Sequence, residues 1–205
     1  MSKFIEPREP AAVATYSAAI ARWILLSGRA AFMVLFGCEE RAIRILEEWV
    51  QRRTSEFSGE RSVLPLADDN PVGVLIGVPG NELEQRRRAD LISLIKGSTA
   101  QQREELTKNL KRLAELTAPV SESDYYFRTV VVDAKYRGLG IGKQLLQKGI
   151  ADGRAVGFTH FRLDVQSDNE PALRLYKNLG FKPIFCGYCE RLGFGMDSLV
   201  LDDEP

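Results

Sequence analysis

The segment that most restricts this chain is Val130-Val131-Val132-Asp133-Ala134-Lys135-Tyr136-Arg137-Gly138-Leu139-Gly140-Ile141-Gly142-Lys143. Three β-branched residues in a row read as a buried strand. A glycine-rich turn follows, and Ile141, Leu145, Leu146 and Ile150 then recur with helical spacing. Strand, tight turn and helix in direct succession call for an α/β layout, with the helix packed back on the sheet. Backbone N–H groups of the turn and the positive end of the helix dipole converge on one point, which favours a phosphate or pyrophosphate. Glycines matter there because a side chain would hold the anion away from the backbone.

Three phosphate patterns compete for the turn. In a P-loop ending at Gly142-Lys143, Arg137 would stand where the first glycine belongs and Gln144 where Ser or Thr belongs. In a dinucleotide fingerprint starting at Gly138-Leu139-Gly140, Lys143 would stand in place of the last glycine. The pattern Arg/Gln-x-x-Gly-x-Gly/Ala is met at every defined position, by Arg137, Gly140 and Gly142. A turn that binds nothing is the bland alternative.

Further on, the strand 161–166 leads to Asn169-x-x-Ala172-x-x-x-Tyr176 and then Leu179-Gly180-Phe181. Asn169 and Tyr176 are two turns apart on one helix face. Gly180 suits a helix C′ position, with Phe181 as its hydrophobic contact. Together the two segments resemble the GNAT-type, acetyl-CoA-dependent N-acetyltransferase family, closely over 125–186 and more loosely before it.

The resemblance implies an acyl-CoA N-acyltransferase fold of the α/β class, a mixed central sheet in which two parallel strands, 125–132 and 161–166, splay apart. Acetyl-CoA, the co-substrate, would lie in that opening. Backbone at Val130, Val131 and Val132 would bind its pantetheine arm. Arg137, Gly138, Leu139, Gly140, Ile141, Gly142 and Lys143 would wrap the pyrophosphate, with Asn169 and Ala172 beside the coenzyme. Asn169 could equally be a helix N-cap. A primary amine would attack the thioester in a ternary complex, and Tyr176 would be the acid for the CoA thiolate. With a reference pKa near 10, a tyrosine is protonated at neutral pH. No carboxylate stands in Tyr125-Tyr126-Phe127-Arg128-Thr129, so the base is open: Asp124, Glu60 or a chain of waters. A non-catalytic acyl-CoA-binding or sensing module is the alternative function. The acceptor, a small-molecule or protein amine, carries no motif.

Before this half, residues 10–53 read as helices broken at Gly28 and Gly37. Ala14, Ala18, Ala21 and Leu25 form the first apolar stripe, and Ile43, Leu46 and Val50 the next. Strands are expected at 62–67 and 72–78, joined through Ala67-Asp68-Asp69-Asn70-Pro71 as a hairpin, with a last strand around 198–201. Residues 80–119 read as an inserted helical pair within one domain spanning 1–205. Gly97 would stop its first helix, and Ser98-x-x-Gln101 or Thr99-x-x-Gln102 would cap the second. The narrow stripe Leu106, Leu110 and Leu113 suits a lid over the acceptor cleft, or a homodimer contact, better than a core helix. Arg86-Arg87-Arg88 reads as a solvated face.

Composition excludes other classes. Over 205 residues, 28 Lys plus Arg offset 28 Asp plus Glu, which lacks the footprint of a nucleic-acid binder. Arg22 and Arg29 interrupt the most apolar stretch, 11–38, so no membrane span or signal peptide is expected. Three cysteines and one histidine fit a reducing, cytoplasmic setting without disulfides. Cys186-x-x-Cys189 has only Cys38 and His160 as further soft ligands, so no metal is expected.

Overall fold

Asp68 and Asp69 both adopt left-handed backbone, at φ +50° and +58°. This turn folds β2 (Ser62–Ala67) back through a two-residue strand, β3 (Asn70–Pro71), towards β4 (Gly73–Pro79), the expected hairpin. The computed structural model describes residues 3–96 and 98–202. A short strand that the sequence reading missed, β1 (Lys3–Ile5), pairs antiparallel with β2. Three residues are too few to show an alternation.

Between β1 and β2 lie α1 (Pro10–Ser27), α2 (Arg29–Phe36) and α3 (Glu39–Gln51). The breaks fall at Gly28 and next to Gly37, as expected, and α1 and α2 meet at a 101° bend. No single described helix is long and apolar enough to cross a membrane. Half of the expected stripe on α1 is met, with Ala21 and Leu25 buried, but Ala14 and Ala18 are exposed and Val13, Ser17, Ile20, Trp23 and Ile24 complete the buried face. Alanine is apolar at either surface, so it could not fix the phase, whereas the larger residues face the sheet. Ser17 is tolerated there because its hydroxyl donates to the Ala14 carbonyl at 3.0 Å.

The inserted pair is α4 (Gly80–Lys96) and α5 (Ala100–Ala114). Of the two proposed capping boxes, Thr99 is used: its hydroxyl accepts from Gln102 N at 3.3 Å and its N–H donates to Gln102 Oε1 at 2.8 Å. Gly97 lies outside the described residues. The chain returns as β5 (Asp124–Val132), α6 (Ile141–Ala155), β6 (His160–Gln166), α7 (Glu170–Asn178), β7 (Lys182–Cys189) and β8 (Phe194–Asp202). β7 and β8 form one long hairpin, and β8 runs several residues beyond the strand expected around 198–201.

The sheet runs β1-β2-β4-β5-β6-β8-β7, with β3 on β2. All described pairings are antiparallel except β5 with β6. That parallel pairing covers three positions, from Asp124↔His160 to Tyr126↔Arg162. Beyond Tyr126 the two strands part, while β6 stays paired with β8 along its whole length. Each face of the sheet has its own core. One collects α1 to α5 with Val74, Ile76, Val78, Tyr126 and Val131. The other seats α6 and α7 on Leu75, Phe127, Phe161, Leu163 and Leu199.

The insertion is part of the first core and not a detachable lid. Leu83, Leu94 and Leu106 are buried in it, with Leu91, Ile95 and Leu110 packed alongside. It leaves the sheet at Pro79 and re-enters at Tyr125, which are paired neighbours. At that neck Gly80 has no room for a side chain, because a Cβ there would overlap the Ser121 carbonyl oxygen. Gly80→Val therefore forces the neck open and is expected to destabilise the fold by about 1–3 kcal/mol, read as a lower urea midpoint with an unchanged slope.

Candidate active site

Past Tyr126, β5 has no described partner on its β6 side, so strand backbone is left unpaired inside the sheet. Val130 and Val132 send their side chains to the α6/α7 core and Val131 to the other, so the valine run presents backbone to the opening. Just past the strand, Asp133 Oδ1 accepts from Lys135 N at 3.2 Å, and residues 134–136 form a single tight turn. Arg137 Nε then donates to the Val132 carbonyl at 3.1 Å, which pins the loop to the end of β5.

Gly138 and Gly140 take left-handed backbone, at φ +79° and +77°, and a Cβ on either would meet no atom within 4 Å. The space around them is open and faces the start of α6. Gly140 is the N-cap of α6, and no side chain caps that end. The first N–H groups of the helix are thus left to an anion or to water. Leu139 and Lys143 are exposed beside this cradle, whereas the Ile141 side chain turns into the core and can offer backbone alone. Gly142 serves packing, since a Cβ there would lie 3.3 Å from Leu175 Cδ2 on α7.

At the start of α7 Asn169 has the geometry of its second reading, the N-cap: Oδ1 accepts from Ala172 N at 3.3 Å. Its amide NH₂ is exposed at the same end of the sheet. Tyr176 is buried against Phe181, with ring centroids 5.9 Å apart. Burial alone pushes its phenol up to about 12. It is a hydrogen donor at every physiological pH. Gly180 has φ +95° and Phe181 N donates to the Tyr176 carbonyl at 3.0 Å, the C-terminal cap that the sequence predicted.

The point where β5 and β6 part carries a charged cluster that the sequence reading missed. β5 has one extra residue there: Phe127 pairs with Gly77 and Thr129 with Ile76, leaving Arg128 as a bulge. Arg128 Nε donates to Glu56 Oε2 at 2.8 Å, and Arg87 Nε donates to the same oxygen at 3.2 Å. The two guanidiniums hold the buried Glu56 carboxyl below its usual range despite its desolvation. The Tyr126 hydroxyl donates to Asp164 Oδ2 at 2.8 Å across the opening, and Ser198 donates to Asp164 Oδ1 at 2.6 Å. Arg162 is buried beside them, 3.9 Å from Asp164 and 3.8 Å from Asp124. Burial and the Asp164 charge push the Tyr126 phenol strongly up. The signal in the sequence was Arg128 itself, a charge in an otherwise uncharged strand segment. Its partners lie 72 and 41 residues away and share no motif with it.

The arginine run 86–88 is therefore not simply a solvated face. Arg86 bonds Glu82 and the carbonyls of Arg53 and Ser55, and Arg87 bonds Glu56, so α4 clamps the loop after α3. The two proposed bases sit away from the opening. Asp124 is at the closed end of the parallel pair and accepts from Ser121 N at 2.7 Å. Glu60 pairs with Arg53 at 3.0 Å. Cys186 and Cys189 are three residues apart on edge strand β7 and so project to opposite faces. His160 contacts Thr159 at the sheet's edge of the α6–β6 loop.

The sequence profile of the Acetyltransferase (GNAT) family matches residues 30–181. The chain belongs to the GNAT acetyltransferase family. Among curated proteins, it is 38% identical over 61 residues to the N-alpha-acetyltransferase RimI of Mycobacterium tuberculosis, which covers 30% of this chain and 37% of that one. It is 43% identical over 51 residues to the mycothiol acetyltransferase of Acidothermus cellulolyticus, covering 25% of this chain and 16% of the relative. The matched segment thus spans well under half the length of these relatives. An N-acetyltransferase from Staphylococcus aureus Mu50 superposes with a TM-score of 0.72 at 17% identity, covering 97% of this chain and all of that one. The acetyltransferase yncA from Salmonella typhimurium, solved with acetyl-CoA, superposes with a TM-score of 0.57 at 12% identity over 100% of this chain and 95% of its own. These two likenesses show the fold.

Two outcomes follow from this geometry. Asn tolerates left-handed backbone, so Gly140→Asn should keep the fold while placing a side chain in the open cradle. Its affinity for acetyl-CoA should fall at least ~10-fold by calorimetric titration, with little loss of thermal stability. The second concerns Asp90 on α4, which accepts from Ser55 Oγ at 2.8 Å and Glu56 N at 3.0 Å in a buried site. Burial raises its carboxyl from 3.8 to about 7. A raised carboxyl pKa means that the folded state holds the proton longer than the unfolded one. Its contribution is complete at low pH and is lost as pH rises through about 7. Urea stability should fall from this group between pH 4 and 8, by at most about 1.4 kcal/mol per pH unit, and Asp90→Asn should flatten that slope.

Proposed function

We propose that the protein is an acetyl-CoA-dependent N-acetyltransferase that transfers an acetyl group to a primary amine by direct attack in a ternary complex. The observation that carries this reading is the parting of β5 and β6 after three paired positions, with an open glycine cradle at the head of α6. A pyrophosphate would rest on the N–H groups of the 138–143 segment, with Gly138 and Gly140 keeping it close. The pantetheine arm would run along the free edge of β5 as an added strand, its amides bonding Val130 to Val132. That fixes the thioester near the bulge, so the amine meets an oriented carbonyl. A β5 N–H beside the bulge would stabilise the oxyanion.

Tyr176 would then receive the leaving sulfur. A phenol at about 12 does not give its proton fully to a thiol of reference pKa about 8.5. Its part is to donate a strong hydrogen bond to the thiolate as the C–S bond breaks. The incoming ammonium must lose a proton, and Glu56, held charged by two arginines, is a weak base for it. Water at the opening serves that step. The weak basicity of Glu56 is also the observation that favours a second reading, a non-catalytic acyl-CoA sensor.

Thiol release from acetyl-CoA with a panel of amines separates the two. Turnover on at least one amine is expected, and tight CoA binding with none would favour the sensor. Tyr176→Phe keeps the ring against Phe181 and removes only the donor, so kcat should fall ~10²–10⁴-fold with acetyl-CoA affinity nearly unchanged. A wild-type kcat in that variant, with chemistry rate-limiting, assigns Tyr176 to packing alone.

A further inference from the structure

The arginine pair at the bulge is built to hold more than Glu56. Arg128 comes from β5 and Arg87 from the inserted helix α4, and both spend Nε on one oxygen, Glu56 Oε2. Their planes are fixed from the side as well. The Arg128 guanidinium carbon lies 4.2 Å from the Phe57 ring centroid, and that of Arg87 lies 5.5 Å from the Tyr126 ring centroid. Among the described residues, none accepts a hydrogen bond from the Nη atoms of either arginine. The two arginines are also the more accessible members of the cluster: the Arg87 side chain is 46% exposed and that of Arg128 24%, against 10% for Glu56.

Charge points the same way. The cluster, which runs from the opening back to Asp124 at the closed end of the parallel pair, holds three arginines, Arg87, Arg128 and Arg162, and three carboxylates, Glu56, Asp164 and Asp124, so it balances as a whole. It does not balance locally. The two negative charges of Asp164 and Asp124 lie inside, around the one buried guanidinium of Arg162. The two more accessible arginines share the single carboxylate of Glu56, which leaves an excess of one positive charge in that part of the cluster. Asp164 acts on Arg87 through its charge, but its oxygens accept from Tyr126 and Ser198 and bond neither Arg87 nor Arg128. An oxyanion fits a pair of fixed guanidinium forks better than any neutral group does.

We infer that the acceptor amine carries an oxyanion, a carboxylate or a phosphate, which the Nη atoms of Arg87 and Arg128 hold while the amine reaches the thioester. The inference rests on the site being an acetyltransferase centre. It also gives the insertion its part in specificity, because α4 supplies one of the two forks.

The test uses the full chain with acetyl-CoA and matched amines: β-alanine with propylamine, an α-amino acid with its amide, and phosphoethanolamine with ethanolamine. The oxyanion member of a pair should show a kcat/KM ~10–100-fold above its neutral partner, and the carboxylate and phosphate pairs tell the two sources apart. Arg87→Gln leaves Glu56 paired with Arg128, so the fold is kept. It should raise the acceptor KM and shrink the preference towards unity while the acetyl-CoA KM stays put. Equal or reversed preference in every pair overturns the inference. A rise in the acetyl-CoA KM instead also overturns it, because the arginines would then be holding the coenzyme's own phosphates. Should no amine turn over, the acetyltransferase reading fails on its own terms. Calorimetry of the same amines with CoA bound then decides: binding of the oxyanion members that is lost in Arg87→Gln keeps the anion site, and no binding removes it.

Discussion

β5 and β6 share hydrogen bonds as parallel strands at three positions and then separate, and most of the molecule can be understood as what holds that separation open. A strand that loses its neighbour inside a sheet leaves buried N–H and C=O groups, at a cost of about 1–3 kcal/mol for each one unmet. The fold confines this cost to one side. β6 keeps its full register with β8, and β5 keeps β4 on its other flank. What is left is one free backbone edge lined by valines, next to a helix N-terminus with no side-chain cap. A coenzyme with amides and a pyrophosphate can meet both needs at once.

The bulge at Arg128 and the polar bridge from Tyr126 to Asp164 mark the place where the strands part. An extra residue in β5 increases the local twist and turns a charged side chain to the face where α4 and the loop after α3 meet the sheet. Arg162 is buried there at the cost of a guanidinium Nε without a hydrogen-bond partner. Its charge is answered by two carboxylates at nearly 4 Å and by backbone carbonyls of Ala118 and Leu199, each accepting at 3.3 Å. This is electrostatic support for a fixed geometry more than a source of stability, since buried ion pairs seldom repay their desolvation in full.

The insertion shows how a peripheral-looking segment becomes structural. Its leucines were narrow enough in sequence to suggest a lid, yet Leu83, Leu94 and Leu106 complete the core over α1 to α3. The neck at Gly80 sits beside the start of β5, and Arg86 and Arg87 clamp the loop that carries Glu56. Changes in α4 can thereby reach the opening without touching the coenzyme cradle.

The coenzyme half was legible in the residues because its information is local. A glycine that must take positive φ, an N-cap at Asn169 and a C′ glycine at Gly180 each act within a few residues of their position, so sequence order states them directly. The strand and helix bounds of 125–181 follow from the same short-range rules. The buried face of the first turns of α1, the strand β1 and the length of the β7/β8 hairpin were not legible, because alanine faces, three-residue strands and exposed edge strands take their definition from what they pack against. The ion cluster of Glu56, Arg87, Arg128, Asp164 and Arg162 lay further out of reach. Its members are scattered over more than a hundred residues, and each is an ordinary surface type until burial sets its charge. Local backbone chemistry thus determined where a phosphate could sit, whereas only tertiary packing decided which charges gather where β5 and β6 part, because Coulombic pairing depends on distance in space and not on spacing along the chain.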